Sequence, residues 1–184
     1  MAVNDLLQNS SEKIIISISA SSSDPEREHT QKAIRVIREL VSIVGKERIC
    51  LALGGYVGLM RVAADTATEM GVQTIFVIPV EYEHHRFPPE SIIIKTGMSF
   101  AGRNIVLVRT GHALLALGGG MGSFMEVITA LEMGKPVALL IGTGSLTDRI
   151  KSIFQEGLVD ERKGGRIVFI EKAEDVRKLI NMIV

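Results

Sequence analysis

Residues 113 to 133 run Ala-Leu-Leu-Ala-Leu-Gly-Gly-Gly-Met-Gly-Ser-Phe-Met-Glu-Val-Ile-Thr-Ala-Leu-Glu-Met, and this stretch decides the fold. Its first five residues, 113–117, are continuously apolar, which is typical of a strand buried on both faces. The glycines that follow allow a sharp turn, and apolar residues then recur at helical intervals. We predict a strand, a glycine loop and a helix that begins near Ser123, whose free N–H groups form an anion site.

The same alternation of strand and helix continues on both sides of this stretch. Asp24 and Pro25 suit the N-cap and first position of the first helix, and Ser23 with Glu26 offers an alternative capping box. Strands are predicted at residues 13–19, 48–53, 73–78, 92–95, 136–141 and 166–170, and helices at 25–44, 59–70, 99–109, 146–154 and 173–183.

One segment allows two structures. Ile105–Val108 fits the crossover helix, but it could also form a hairpin strand paired with residues 113–117. The regular alternation favours the helix. The pattern as a whole predicts an α/β fold, a three-layer, doubly wound, Rossmann-like and mostly parallel sheet with helices on both faces. One domain is expected over residues 1–184.

Composition excludes several classes of protein. The 21 basic and 21 acidic side chains balance, so neither nucleic acid nor a membrane surface is an expected partner. The single Cys50 lies in an apolar run and fits a reduced, cytoplasmic protein without an intramolecular disulfide. Met1–Ser10 lacks the pattern of a signal peptide, and no apolar run approaches the roughly 20 residues needed to span a bilayer.

Three loops are candidates for a ligand site. In a doubly wound sheet, ligands bind beyond the carboxyl ends of the strands, where the strand order reverses. Two glycine loops with a hydroxyl-rich loop between them suit a nucleotide better than a bare phosphate. The phosphate-binding candidates are Ser21, Ser22, Gly54, Gly55, Gly58, Gly119, Gly120, Gly122 and Ser123. As alternatives, Gly54–Gly58 could serve only close strand–helix packing, and Ser21–Ser23 could be turn and cap residues.

No resident cofactor or metal is expected. The dinucleotide fingerprint is absent because the first strand ends in serines, and the third ends at Ile78-Pro79 without the ribose-binding acid. Neither glycine loop is followed by the Gly-Lys-Ser/Thr of a P-loop. His84 and His85 are adjacent, and side chains of adjacent extended residues point in opposite directions. Residues 81–90, rich in proline and charge, are instead predicted to form a loop over the crevice.

Two motifs and one arginine resemble a known family. Gly119–Glu126 resembles the Pro-Gly-Gly-x-Gly-Thr-x-x-Glu signature of the family that includes the LOG phosphoribohydrolases and the molybdenum cofactor carrier proteins. Members of this family are often labelled lysine decarboxylase. Gly54–Met60 resembles the family's first glycine loop, Gly-Gly-x-x-Gly-Leu-Met. Arg103 falls where the family has a functional arginine, and the resemblance extends from Ile14 to about Phe154.

Three positions depart from the family signature. Gly118 replaces proline, Ser123 replaces threonine, and Asn104 stands where the phosphoribohydrolases carry lysine. The serine is chemically mild. The other two departures make the sequence similar to the carrier-like branch.

The resemblance implies a role for each matched residue. The backbone of Gly119–Ser123 would hold a 5′-phosphate, and Arg103 and Glu126 would be the catalytic residues that act on the ribose. The alternative for Glu126 is a capping box with Ser123.

Two function classes follow: a phosphoribohydrolase that releases base and ribose 5-phosphate, and a carrier that binds a nucleotide or molybdenum cofactor without turnover. A homo-oligomer, a dimer or larger, is expected through the apolar Ile105–Val108.

Overall fold

A computed structural model describes residues 13–183 of the chain. The stretch Met1–Ser10, where no signal peptide is expected, lies outside them. The strands and α-helices are, in chain order, β1 (Ile14–Ser19), α1 (Arg27–Val44), β2 (Ile49–Leu53), α2 (Gly58–Glu69), β3 (Gln73–Ile78), β4 (Ile92–Lys95), α3 (Phe100–Thr110), β5 (Ala113–Ala116), α4 (Met121–Glu132), β6 (Pro136–Leu140), α5 (Ile150–Ile153), β7 (Gly157–Asp160), β8 (Gly165–Ile170) and α6 (Arg177–Ile183).

The eight strands form one sheet in the order β4-β3-β2-β1-β5-β6-β8-β7. Every neighbouring pair is parallel except β7 with β8. The chain first builds the sheet outward from β1 to β4 and then returns through α3 to place β5 on the other side of β1. The strand order therefore reverses between β1 and β5, which is where a doubly wound sheet binds its ligand.

Helices cover both faces of the sheet, as predicted. The side chains of one face pack against α1, α2 and α6 in a core that includes Leu40, Leu59, Leu115 and Leu179. On the other face, Leu114 and Ala116 pack with Val127 of α4. Alternate residues of β5 thus enter opposite cores, which explains its uninterrupted apolar sequence. The predicted three-layer α/β fold is confirmed.

Residues 100–110 form the crossover helix α3, so the alternative hairpin strand for Ile105–Val108 is wrong. Leu107 enters the core against Ala52 and Val77, while its carbonyl accepts a 2.7 Å hydrogen bond from Ser17 Oγ. None of the helices in the described part is long and apolar enough to cross a membrane.

The start of α1 and the strand β7 differ from the prediction. α1 begins at Arg27 with Glu26 as N-cap and no side-chain cap, so neither Asp24 nor Ser23 starts it. The preceding loop is held elsewhere, because Ser21 O accepts a 3.0 Å hydrogen bond from Leu59 N. Strand β7 was not predicted; it has four residues and pairs with β8 through a register shift.

Candidate functional site

A cleft of about 410 Å³ opens at the carboxyl ends of β1 and β5. The loop after β1 contributes Ser21, Ser22 and Ser23, and the start of α4 contributes Gly120, Gly122 and Ser123. The buried charged groups Arg103 and Glu126 and the aromatic rings of Tyr82, which is partly buried, and Phe100, which is exposed, complete the lining. The structure therefore brings two of the three candidate loops, the serine loop and the second glycine loop, together where the strand order reverses.

The glycine loop after β5 turns sharply into α4. Gly118 has φ +106°, a conformation that proline cannot adopt. A Cβ at this position would lie 2.8 Å from His29 Cε1 and 3.1 Å from Ser145 Oγ. His29 Nε2 lies 2.5 Å from Leu117 O and so holds the end of β5. Gly118 stands where the family has proline, and His29 packs against the loop at this position.

The helix α4 begins at Met121 with Gly120 as N-cap, two residues earlier than predicted. Gly122 and Ser123 therefore lie in its first turn, whose N–H groups have no partner within the helix. A Cβ at Gly119 would lie 2.2 Å from Ser123 Oγ, whereas a Cβ at Gly120 would meet open space. Gly119 allows the loop to close against the helix, and Gly120 leaves room in front of it.

Glu126 turns away from the start of its helix and into the cleft wall. Its Oε2 accepts a 2.5 Å hydrogen bond from Ser19 Oγ, and its Oε1 lies 3.4 Å from Arg103 Nη1. The capping box with Ser123 is wrong, because Ser123 is itself the third residue of α4 and Glu126 lies one turn further on. The carboxylate is thus free of a capping role and pairs with residues of β1 and α3.

Asn104 is a third donor to the same carboxylate. With its amide nitrogen facing the acceptors, it donates to Glu126 Oε1 at 2.9 Å and to Phe100 O at 3.1 Å. The opposite orientation would place the amide oxygen against these two acceptors. Where the phosphoribohydrolases carry lysine, this chain therefore has a neutral group that fixes Glu126.

Arg103 and Glu126 form a buried ion pair, with side chains 6% and 7% exposed. Burial lowers the pKa of Arg103 while Glu126 opposes the shift, and the guanidinium stays protonated. Burial raises the pKa of Glu126, against the opposing effects of the Ser19 hydrogen bond and of Arg103. Within residues 13–183, Arg103 Nε is buried and has no hydrogen-bond partner. An unsatisfied buried donor of this kind is costly, and a ligand oxygen could relieve the cost.

The first glycine loop, after β2, packs against residues that line the cleft. A Cβ at Gly54 would lie 1.7 Å from Arg103 Nη1, and a Cβ at Gly55 would lie 2.5 Å from Tyr82 Cε2. Gly58 has φ +50°, and its Cβ would lie 2.4 Å from Ser21 O. These glycines are packed against residues that line the cleft rather than lining it themselves. Close packing thus involves these glycines, but their partners are two side chains and the loop after β1 rather than the strand–helix contact raised as the alternative.

Residues 81–90 lie beside the cleft and contribute Tyr82 to it. The His85 ring stacks on Tyr82, with centroids 4.5 Å apart, and His84 meets His85 edge to face. In the described part of the chain, no group of three or more His, Cys, Asp or Glu side chains is arranged to hold a metal ion.

Sequence reasoning missed Ser19, Asn104 and Phe100 as lining or positioning residues. Ser17 and Ser19 alternate with isoleucine in a strand that is otherwise apolar, and both are fully buried. Polar side chains at the end of a buried strand must find partners, so this alternation was the available signal.

The family model of the SLOG cluster4 family matches residues 13–176, which is most of the chain. The chain belongs to the SLOG cluster4 family. An uncharacterized protein of Archaeoglobus fulgidus is 29% identical over 110 residues, which cover 60% of this chain and 72% of that protein. The resemblance stated from the sequence is thereby confirmed.

Solved structures with the same fold include carriers of a cofactor. The X-ray structure of TM1055 has a TM-score of 0.77 and 25% identity, covering 91% of this chain and 98% of that one. The molybdenum cofactor binding protein of the phototrophic bacterium Rippkaea orientalis has a TM-score of 0.73 and 24% identity, covering 95% of this chain and 99% of that one. The molybdenum cofactor carrier protein of Chlamydomonas reinhardtii has a TM-score of 0.73 and 23% identity, covering 94% and 98%. These solved structures share the fold of this SLOG protein.

Proposed function

We propose that the cleft binds a nucleoside 5′-monophosphate and hydrolyses its N-glycosidic bond to give the base and ribose 5-phosphate. The observation that carries the proposal is the placement of the Arg103–Glu126 pair in the same cleft as the free first turn of α4. A phosphate on the N–H groups of Gly122 and Ser123 would sit at the positive end of the helix dipole.

Helical spacing would bring the carboxylate of Glu126 next to the sugar of a ligand whose phosphate occupies the first turn of α4. Gly122 and Glu126 are four residues apart and lie on one face of α4, separated by about 5 to 6 Å along the helix. The ribose is joined directly to the phosphate, so Glu126 would lie beside the ribose when the phosphate occupies the first turn. Cleavage of the glycosidic bond develops positive charge on the sugar, which a carboxylate stabilises. Arg103, paired with Glu126, would offset the charge of this carboxylate and so reduce its repulsion of the phosphate.

The proposal is tested by incubating purified protein with AMP and with N6-substituted AMP and measuring ribose 5-phosphate. We expect release of ribose 5-phosphate by the wild type and a loss of at least about 100-fold in Glu126→Gln, which keeps the size of the side chain but removes its charge. Circular dichroism and thermal unfolding check that the variant is folded. No product above the Glu126→Gln level would refute the hydrolase.

A carrier that binds the same kind of ligand, or a molybdenum cofactor, without turnover is the second candidate function. Two departures from the phosphoribohydrolase signature, Gly118 and Asn104, favour the carrier. Asn104 is a neutral donor to Glu126 at the position where the phosphoribohydrolases carry a charged lysine. A carrier would show a ligand-dependent rise in melting temperature without product. That rise should disappear in Gly120→Val, which fills the open space in front of α4.

We also propose that the protein forms a homo-oligomer, a dimer or larger, through the outer face of α3 and α4. Ile105 is 49% exposed and Met125 is 45% exposed on these two packed helices. Within the predicted stretch Ile105–Val108, Leu107 and Val108 enter the core, so Ile105 is its exposed member. An apolar face of this kind on a helix pair is typical of self-association.

Light scattering at micromolar concentration should give at least twice the monomer mass of 20.0 kDa for the wild type. The variant Ile105→Arg/Met125→Lys should be monomeric, because two charges cannot be buried unpaired in an interface. Ile153→Arg is the matched control, since Ile153 is 60% exposed on the separate helix α5. A monomeric wild type, or a control that also dissociates, would contradict the proposed face.

A further inference from the structure

Two aromatic rings form an apolar side of the cleft. They have no role in the contacts proposed above for the phosphate and the sugar. Tyr82 and Phe100 both line the cleft, together with Met60. The chain has only 6 Phe, 2 Tyr and no Trp, so two rings in one polar cleft are a concentrated feature. Phe100 is 42% exposed although it is the first residue of a helix packed on the sheet.

The packing around Tyr82 holds it in one position. Gly55 leaves room for the ring edge, since a Cβ there would lie 2.5 Å from Tyr82 Cε2. His85 stacks on the ring with an interplanar angle of 21°. Phe100 meets Tyr82 edge to face, with centroids 5.2 Å apart and an interplanar angle of 88°. Phe100 is therefore supported by a fixed neighbour while a large part of its own surface stays open to the cleft.

The register of the sheet gives the distance between the rings and the phosphate loop. The glycine loop follows β5, Gly54 and Gly55 follow β2, and β1 lies between these two strands. Two strand spacings amount to about 10 Å. Because Tyr82 packs on Gly55, the rings lie on the β2 side, away from the first turn of α4.

The ion pair lies between these two parts of the cleft. Arg103 packs over Gly54 at the end of β2, and its partner Glu126 is bound by Ser19 at the end of β1. From β5 towards β2, the cleft therefore offers an anion site, then a carboxylate with its arginine, then aromatic rings. This order corresponds to phosphate, ribose and base in a mononucleotide.

We propose that Phe100, supported by Tyr82, is the platform on which the planar heteroaromatic base of the ligand stacks. The inference rests on the proposed function, because it takes the phosphate to occupy the first turn of α4. Stacking on a ring depends on the area and π face of the base rather than on its hydrogen-bonding edge. The platform therefore selects ligands that carry a large planar ring over sugar phosphates that lack one, and purine over pyrimidine nucleotides.

Calorimetric titration tests this with two probes, formycin 5′-monophosphate and ribose 5-phosphate. The first is a purine-like C-nucleotide whose glycosidic bond resists hydrolysis, and the second has the same phosphate and sugar without a base. The wild type should bind the C-nucleotide at least about tenfold more tightly. Phe100→Leu should lose about tenfold or more for the C-nucleotide and remain within about twofold for ribose 5-phosphate, while Phe100→Trp should retain wild-type preference.

The control is Phe154→Leu, a part-buried phenylalanine outside the cleft, which should leave both affinities unchanged. Equal affinity of the wild type for both probes would overturn the stacking platform and leave the proposed phosphate site standing. Equal losses for both probes in Phe100→Leu would also overturn the platform, because Phe100 would then only support the fold of the cleft. Binding of neither probe by the wild type would overturn the proposed function together with the platform.

Discussion

Arg103→Met should lower the free energy of unfolding by about 3 to 5 kcal/mol at pH 8, because it leaves a buried carboxylate without its counter-charge. Glu126 is 6% exposed, and in this variant it keeps only the neutral donors Ser19 and Asn104. Burial already raises the pKa of Glu126, and loss of Arg103 removes one of the effects that oppose this rise. Urea unfolding at pH 5 and pH 8 measures the change.

The sign of the pH dependence follows from the raised pKa of Glu126. A folded state with a raised carboxyl pKa binds its proton more tightly than the unfolded state, so its stability falls as the pH rises between the two pKa values. The loss in free energy of unfolding caused by Arg103→Met should therefore be larger at pH 8 than at pH 5. The double variant Arg103→Met/Glu126→Gln should recover most of it and lose the dependence. A deficit below about 1 kcal/mol at pH 8 would show that Arg103 does not compensate the buried charge.

Gly58→Ala should destabilise the protein by about 2 to 5 kcal/mol, through backbone strain and steric overlap together. Gly58 has φ +50°, and an added Cβ would lie 2.4 Å from Ser21 O and 2.6 Å from Ser23 O. Both neighbours are backbone atoms of the loop after β1, so they cannot move aside as a flexible side chain would. Because this loop lines the cleft, ligand affinity should fall as well.

Gly97→Ala separates the two causes. Gly97 has φ +66° but nothing within 4 Å of the added Cβ, so this variant carries the backbone strain alone. Its destabilisation, measured by the same urea titration, should be about 1 to 3 kcal/mol, with ligand affinity unchanged. An equal loss of free energy of unfolding in the two variants would mean that the contact between α2 and the serine loop contributes nothing to stability.

The repeating pattern in the sequence was enough to predict the doubly wound fold, and it left three loops as candidates for the switch point. β5 reads as uninterrupted apolar residues because its alternate side chains enter two cores, and Gly118–Gly120 mark the turn that follows. Helix starts were less predictable. Pro25 suits the first position of a helix, but the hydrogen bond from Leu59 N to Ser21 O holds the preceding loop against α2.

The partners within the site depended on contacts across the sheet. Ser19 and Glu126 are 107 residues apart, and their hydrogen bond exists only because β1 and β5 are neighbours. Sequence spacing allowed a capping box between Ser123 and Glu126 as an alternative, and the earlier start of α4 removed that geometry. The first glycine loop was placed at the site, but its contacts are with Arg103, Tyr82 and the serine loop. Local motifs thus located the cleft, whereas tertiary packing decided which groups face it.

The pairing of Arg103 with Glu126 also affects the rate at which a charged ligand would associate with the cleft. These are the two charged side chains among the described residues lining the cleft, and they neutralise each other. The whole chain has a formal net charge of +0. An anionic ligand would therefore meet little long-range attraction, and its rate of association would depend only weakly on ionic strength. Short-range contacts formed after encounter would determine how long it stays bound.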